Sequence, residues 1–118
     1  MRRTKVLGNS GEDIAAEFLR ELGYEVIDRN WRCREGEVDV VAIDDGVLVV
    51  CEVKTRRGLR FGTPLEAVTA EKVARLRRLA QSYLRAYDLS VRGVRIDVVG
   101  VLVRPDQPVK VTHLRGVS

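Results

Sequence analysis

Asp45-Gly46, set between two nearly continuous apolar runs, restricts the fold of this chain more than any other feature. A two-residue type I′ turn needs positive φ at both central positions, and Asp-Gly meets that demand with little strain. With those two residues as the loop, Asp44 faces Val47 and the register of the whole hairpin follows. Val41 then opposes Val50 and Ile43 opposes Leu48 on one face. Val38 opposes Val53, Val40 opposes Cys51 and Ala42 opposes Val49 on the other. A hairpin that is apolar on both sides belongs in the middle of a sheet with both faces covered.

The same register sets Asp39 opposite Glu52 and Glu37 opposite Lys54, all at the end away from the turn. Directly opposed residues have Cβ atoms about 5 Å apart, where like charges are destabilising. A hard divalent cation, Mg²⁺ or Mn²⁺, would relieve that repulsion, since Mg²⁺ typically uses one or two carboxylates plus water and substrate phosphate. Lys54 adds a positive charge able to orient water or stabilise a developing oxyanion. A solvated salt-bridge ladder is the plainer reading, but Val50 and Val53 flank the acids where such a strand would place polar residues.

The remaining pattern supplies the covering layers. Asn9-Ser10 followed by Glu12 and Asp13 marks a helix start, Ala15, Phe18, Leu19 and Leu22 recur at helical spacing, and Gly23 is the stop. Glu12 precedes Ala15 by three and Leu19 by seven, so it lies on the inward stripe and joins the candidate acids, whereas Asp13 and Glu17 point elsewhere. Strands are predicted over Tyr24–Arg32, Glu35–Ile43 and Val47–Thr55. A second helix follows from Pro64, with Thr69 as a plausible cap and Leu65, Val68, Val73, Leu76, Leu79, Ala80, Tyr83 and Leu84 as its apolar stripe. Val91–Val103 carries a fourth strand, and Val109–Leu114, past Pro105 and Pro108, a short edge strand. The order αβββαβ(β) predicts an α/β domain with helices on both faces of a mixed sheet. At 118 residues this is one domain, its core about 8–103 and residues 104–118 an edge strand or tail.

Composition narrows the chemistry. Two cysteines and one histidine make a structural zinc site or a Cys-His or Ser-His nucleophile a poor fit, and Cys51 reads as a small buried hydrophobe. The longest apolar run, Val47–Cys51, is too short to cross a bilayer, and no signal-peptide core follows the basic N-terminus, so a cytoplasmic protein is expected. Residues 1–53 hold 12 acids and 7 bases, whereas residues 54–118 hold 14 bases and 5 acids. That asymmetry suggests a polyanionic partner. Arg32 and Arg34 precede the acidic strand, Arg56, Arg57 and Arg60 follow Lys54, and Lys72, Arg75, Arg78 and Arg85 share a face of the second helix with Ser82 between them. Such residues suit backbone phosphates, although a solvated face accounts equally well for those on the helix. Trp31 and Phe61 could stack on unpaired bases, with core packing the readier role for Trp31. Asp97 interrupts an apolar strand, either near the site or paired with an arginine.

Asp39, twelve residues, then Glu52-Val53-Lys54 resembles the signature of the PD-(D/E)xK nuclease superfamily, with Val38 where the name has proline. More of the chain resembles one branch, the bacterial YraN-like family of endonuclease-like proteins. The likeness rests on Gly8-Asn9-Ser10-Gly11-Glu12-Asp13-Ile14-Ala15, Tyr24, Asn30-Trp31-Arg32, Gly36-Glu37-Val38-Asp39-Val40-Val41-Ala42, Val50-Cys51-Glu52-Val53-Lys54-Thr55-Arg56 and Arg95-Ile96-Asp97-Val98-Val99. The resemblance implies a restriction-endonuclease-like fold close to archaeal Holliday-junction resolvases. It also implies an active site of Glu12, Asp39, Glu52 and Lys54, with a homodimer as the form of the resolvases. A Mg²⁺- or Mn²⁺-dependent endonuclease acting on DNA, including branched DNA, is therefore expected, with Asp39 and Glu52 on the metal. The alternatives are a non-catalytic nucleic-acid-binding module that keeps the fold, and a protein-interaction domain with a structural metal.

Overall fold

Helix α1 (Ser10–Glu21) opens the chain as seen in a computed structural model, which describes residues 10–58 and 68–117. Ala15 and Leu19 are fully buried, and the helix ends in a Schellman motif: Gly23, at φ 97°, donates to the Arg20 carbonyl and Tyr24 N donates to that of Leu19. Strands β1 (Glu25–Cys33), β2 (Gly36–Asp44) and β3 (Val47–Arg56) follow. Helix α2 (Ala70–Tyr87) leads to β4 (Gly93–Leu102) and β5 (Lys110–Leu114). Val68 and Thr69 precede α2, and Thr69 caps it by accepting the Lys72 N–H at 3.2 Å. The expected helical residue Leu65 lies outside the described residues, as do Arg60 and Phe61.

The sheet runs β1-β2-β3-β4-β5, with β3 and β4 parallel and every other pair antiparallel. Asp45 and Gly46 both have positive φ, and the hairpin register pairs Asp44 with Val47 through Val40 with Cys51, as the turn requires. Two cores lie on opposite faces of this sheet. Ala15 and Leu19 of α1 pack on Val40, Ala42, Val49, Cys51, Val99 and Val101. Leu76, Leu79, Ala80 and Tyr83 of α2 pack on Val41, Leu48, Val50 and Ile96. The result is a mixed α/β fold with a five-stranded sheet and a helix on each face, as the sequence order predicts. Cys51 is buried and free, so the two cysteines form no disulfide.

One part of the expected pattern fails. Strict alternation groups Val38 with Val40, yet Val38 joins the α2 core while Val40 joins the α1 core. The same switch occurs in the neighbouring strand: Arg29 reaches α1, whereas Trp31 packs edge-to-face on Tyr83 of α2 at 5.1 Å. Between these residues lies Asn30, at φ 52°, a left-handed conformation inside a strand. Register is kept across it, with Arg29 on Val40 and Trp31 on Val38, so both strands turn over together at the level of Asn30 and Asp39.

Candidate functional site

The hairpin ladder ends at Val40–Cys51. Beyond it, the Asp39 side chain rather than the β2 backbone serves β3, since Asp39 Oδ2 accepts the Val53 N–H at 2.8 Å. The expected direct opposition of Asp39 and Glu52 is thus replaced by a side-chain bridge across a parting of the strands. Glu37 does not pair with Lys54: its carboxylate lies 3.7 Å from Arg32 Nε across β1 and β2. Lys54 instead turns to its own strand neighbour, with Nζ 3.3 Å from Glu52 Oε2.

Glu12 comes from α1, whose first turn meets β3 closely. A Cβ on Gly11 would collide with Thr55 Oγ1, so glycine lets the helix come close to the strand that carries Glu52 and Lys54. Arg29 on β1 holds this turn, with Nη2 2.7 Å from Asp13 Oδ1 and 3.6 Å from Glu12 Oε1. Asp13 and Arg29 therefore support the site, a role the helical stripe did not suggest for either.

Asp39 is the electrostatic centre of the group. Burial pushes its carboxyl up to about 6, the Val53 N–H opposes that, and Glu52, Glu12 and Glu37 push it further up. Lys54 is held below its ordinary value by its contact with Lys72 and by burial, against the pull of Glu52. Glu12 Oε1 is buried with no hydrogen-bond partner among the described residues. A buried carboxylate oxygen with no hydrogen bond and only a long ion pair to Arg29, close to a carboxyl crowded by like charge, is what a hard cation would relieve. Among the described residues no three His, Cys, Asp or Glu side chains form a ready-made metal cage. Asp39 and Glu52 offer the oxygen donors that a hard cation such as Mg²⁺ or Mn²⁺ takes, and too few of them for a closed structural site.

The basic residues divide. Lys72, for which the sequence allows phosphate binding and a solvated face equally, places Nζ 3.4 Å from Glu52 Oε2. Arg75 and Arg78 stay exposed and line an open groove with Lys72 and Thr69. Arg85 donates to Ser82 Oγ, which donates to Glu35, so it belongs to a separate polar chain. Arg32 and Arg34 are exposed beside the β1–β2 turn, Arg57 is exposed just past β3, and Arg56 is half-buried against the Thr55 carbonyl. Trp31 is partly buried and donates to Tyr87 OH at 3.2 Å.

Asp97 lies apart from these acids in a network of its own. Fully buried, it accepts from Arg95 Nε at 2.9 Å, Gly116 N at 3.0 Å and Tyr24 OH at 3.4 Å, with His113 Nε2 at 2.8 Å. Arg95 continues to Asp44 Oδ2 at 3.0 Å. Of the two roles the sequence allows, arginine pairing is the one seen. His113, unremarkable in sequence, is recruited because β5 brings it over β4, where Val99 pairs with it.

Comparison with known proteins places the chain among close relatives. Residues 11–101 match the family model described as "Uncharacterised protein family UPF0102". A UPF0102 protein of Paenarthrobacter aurescens is 51% identical over 99% of this chain and 97% of its own length. Those of Kineococcus radiotolerans and Nocardioides sp. are 52% and 53% identical, over 100% and 97% of this chain and 98% and 92% of their own lengths.

Proposed function

The chain belongs to the UPF0102 family, and from that premise we propose that it is a divalent-metal-dependent endonuclease acting on DNA. The observation that carries this reading is the crowding of Asp39, whose carboxyl is raised by burial and by Glu52, Glu12 and Glu37 while Lys54 stands on Glu52. Acids from two strands and a helix meet where local physics opposes them, and such conflicts mark functional sites. A bound Mg²⁺ or Mn²⁺ would supply Lewis-acid polarisation of the phosphate and an acidified water. Asp39 and Glu52 would hold that cation, and Glu12 would add negative charge from the helix. Lys54 orients the attacking water or the phosphate oxygen. Arg75, Arg78 and Arg57, exposed around the acids, bind the flanking phosphates.

The test incubates purified protein with linear, nicked and branched DNA, with Mg²⁺, Mn²⁺ or chelator. Cleavage is expected with metal only, and Asp39→Asn and Lys54→Met are expected to lower it by at least about 100-fold, the scale of removing a positioned charge from a transition state. Both variants should still bind DNA. Metal-independent binding with no cleavage of any substrate overturns the proposal.

A further inference from the structure

Lys72 stands where local helix physics would place an acid. It is the third residue of α2 after the Thr69 cap, the position at which a Glu or Gln completes a capping box, and its charge lies at the positive end of the helix dipole. Arg75, one turn on, adds like charge. A residue that breaks a local rule is retained for something else, and here its ammonium is directed inward onto Glu52 Oε2.

Glu52 therefore carries two ammonium groups on one oxygen, at 3.3 Å from Lys54 and 3.4 Å from Lys72. The two are not equivalent. Lys54 rises from the same strand two residues away, so its position is fixed with that of Glu52. Lys72 reaches across from α2 on a long flexible stem and lines the open groove beside Arg75 and Arg78.

Resting on the metal-site reading above, we infer that Lys72 is a displaceable counter-ion of Glu52: it competes with the divalent cation for this carboxylate and, once displaced, turns to a DNA phosphate in the adjoining groove. Lys72 is thus a positioning residue that couples occupation of the acids to capture of the substrate. A lysine that merely decorated the helix would affect DNA binding alone.

The test titrates Mg²⁺ and Mn²⁺ into the metal-free full-length protein by calorimetry without DNA. Lys72→Gln, which completes the capping box, and Lys72→Met, which keeps the apolar stem, should both bind metal more tightly, on the order of two- to fivefold, the scale of a partly exposed ion pair. Both should bind DNA more weakly in the presence of metal. Lys72→Arg should keep metal affinity near wild type, and Arg77→Met, which removes the same charge from an exposed position of α2, should change it less. Metal affinity that is unchanged or weaker in both neutral variants, with wild type binding normally, overturns the inference and leaves the metal site standing. Absence of metal binding by the wild type removes both.

Discussion

Two aspartates in the same sheet, Asp97 and Asp39, show opposite ways of taking a carboxylate out of water. Burial would raise the proton affinity of Asp97, but Arg95, His113 and the Gly116 N–H hold it below the ordinary range. Every strong neighbour of that carboxylate is a donor or a cation. Asp39 has one backbone donor and three carboxylates around it, and it is pushed up to about 6. The first arrangement is complete within the chain and fastens elements together: Tyr24 after α1, Asp44 at the hairpin turn, and the segment after β5 all meet at Arg95 and Asp97. The second has cations only on the acids around it, with Lys54 and Lys72 on Glu52 and Arg29 near Glu12, and none on Asp39 itself. Charge complement, more than depth of burial, separates the two carboxylates.

The comparison predicts its largest effect at Asp97. Asp97→Ala leaves Arg95 and His113 facing an empty, buried position, and breaking such a pair typically costs about 3–5 kcal/mol. Against a total stability on the order of 5–15 kcal/mol, that loss should be evident in urea denaturation at neutral pH. The Mg²⁺ affinity of the fraction that stays folded should be unaltered, because Asp97 shares no hydrogen bond with the acids around Asp39. A loss under about 1 kcal/mol would show that the network is dispensable and that the contrast with Asp39 is misdrawn.

The next effect is in the pH dependence, where the two aspartates have opposite signs. Asp97, depressed in the folded state, contributes stability above its unfolded value that disappears as pH falls through the folded one. Asp39 is raised from 3.8 to about 6, so the folded protein favours its protonated form. Its contribution is full below the unfolded value and is lost as pH rises to about 6. In metal-free buffer Asp39→Asn should therefore be more stable than wild type at pH 7, by on the order of 2 kcal/mol, with the margin closing toward pH 4. Saturating Mg²⁺ should reverse the order at pH 7. A margin equal at both pH values would mean that neither burial nor the neighbouring acids raise Asp39.

Much of this frame was legible in the sequence because it rests on local rules. Asp45-Gly46 sets the hairpin register, Gly23 and Thr69 delimit the helices, and the double-sided apolar pattern of β2 and β3 demands cover on both faces. The candidate acids were legible for the same reason, since register and helical spacing bring Glu12, Asp39 and Glu52 to one end of the sheet. What escaped was tertiary. The Asp97–His113 contact joins β4 to a strand whose pairing no local signal specifies. Lys72 looked like one of several basic residues on a helix face, although its conflict with the capping box was a usable sign. The parting of β2 from β3 at Asp39 is hidden in the sequence because no local signal marks Asn30 as a break in strict alternation.

The turnover at Asn30 bears on the Asp39 side of the comparison alone, and it predicts the smallest effect. Upstream of it Arg29 reaches the Glu12 turn, and beyond it Trp31 packs on Tyr83. Asn30 is exposed and lies at the level of Asp39, so its backbone conformation, not its side chain, is what the turnover depends on. Asparagine tolerates the left-handed region and glycine tolerates it better, whereas alanine there costs about 1–2 kcal/mol. Asn30→Ala should lower stability by about 1 kcal/mol and Asn30→Gly should leave it within about 0.5 kcal/mol, measured by urea denaturation. Because the turnover lets Asp39 meet the Val53 N–H, the alanine variant should also lose part of the stability gained on adding Mg²⁺. If alanine and glycine behave alike, the left-handed residue is incidental. The parting of the strands must then be imposed by Val38 and Trp31 packing against α2, which places its cause in the core and not in the turn.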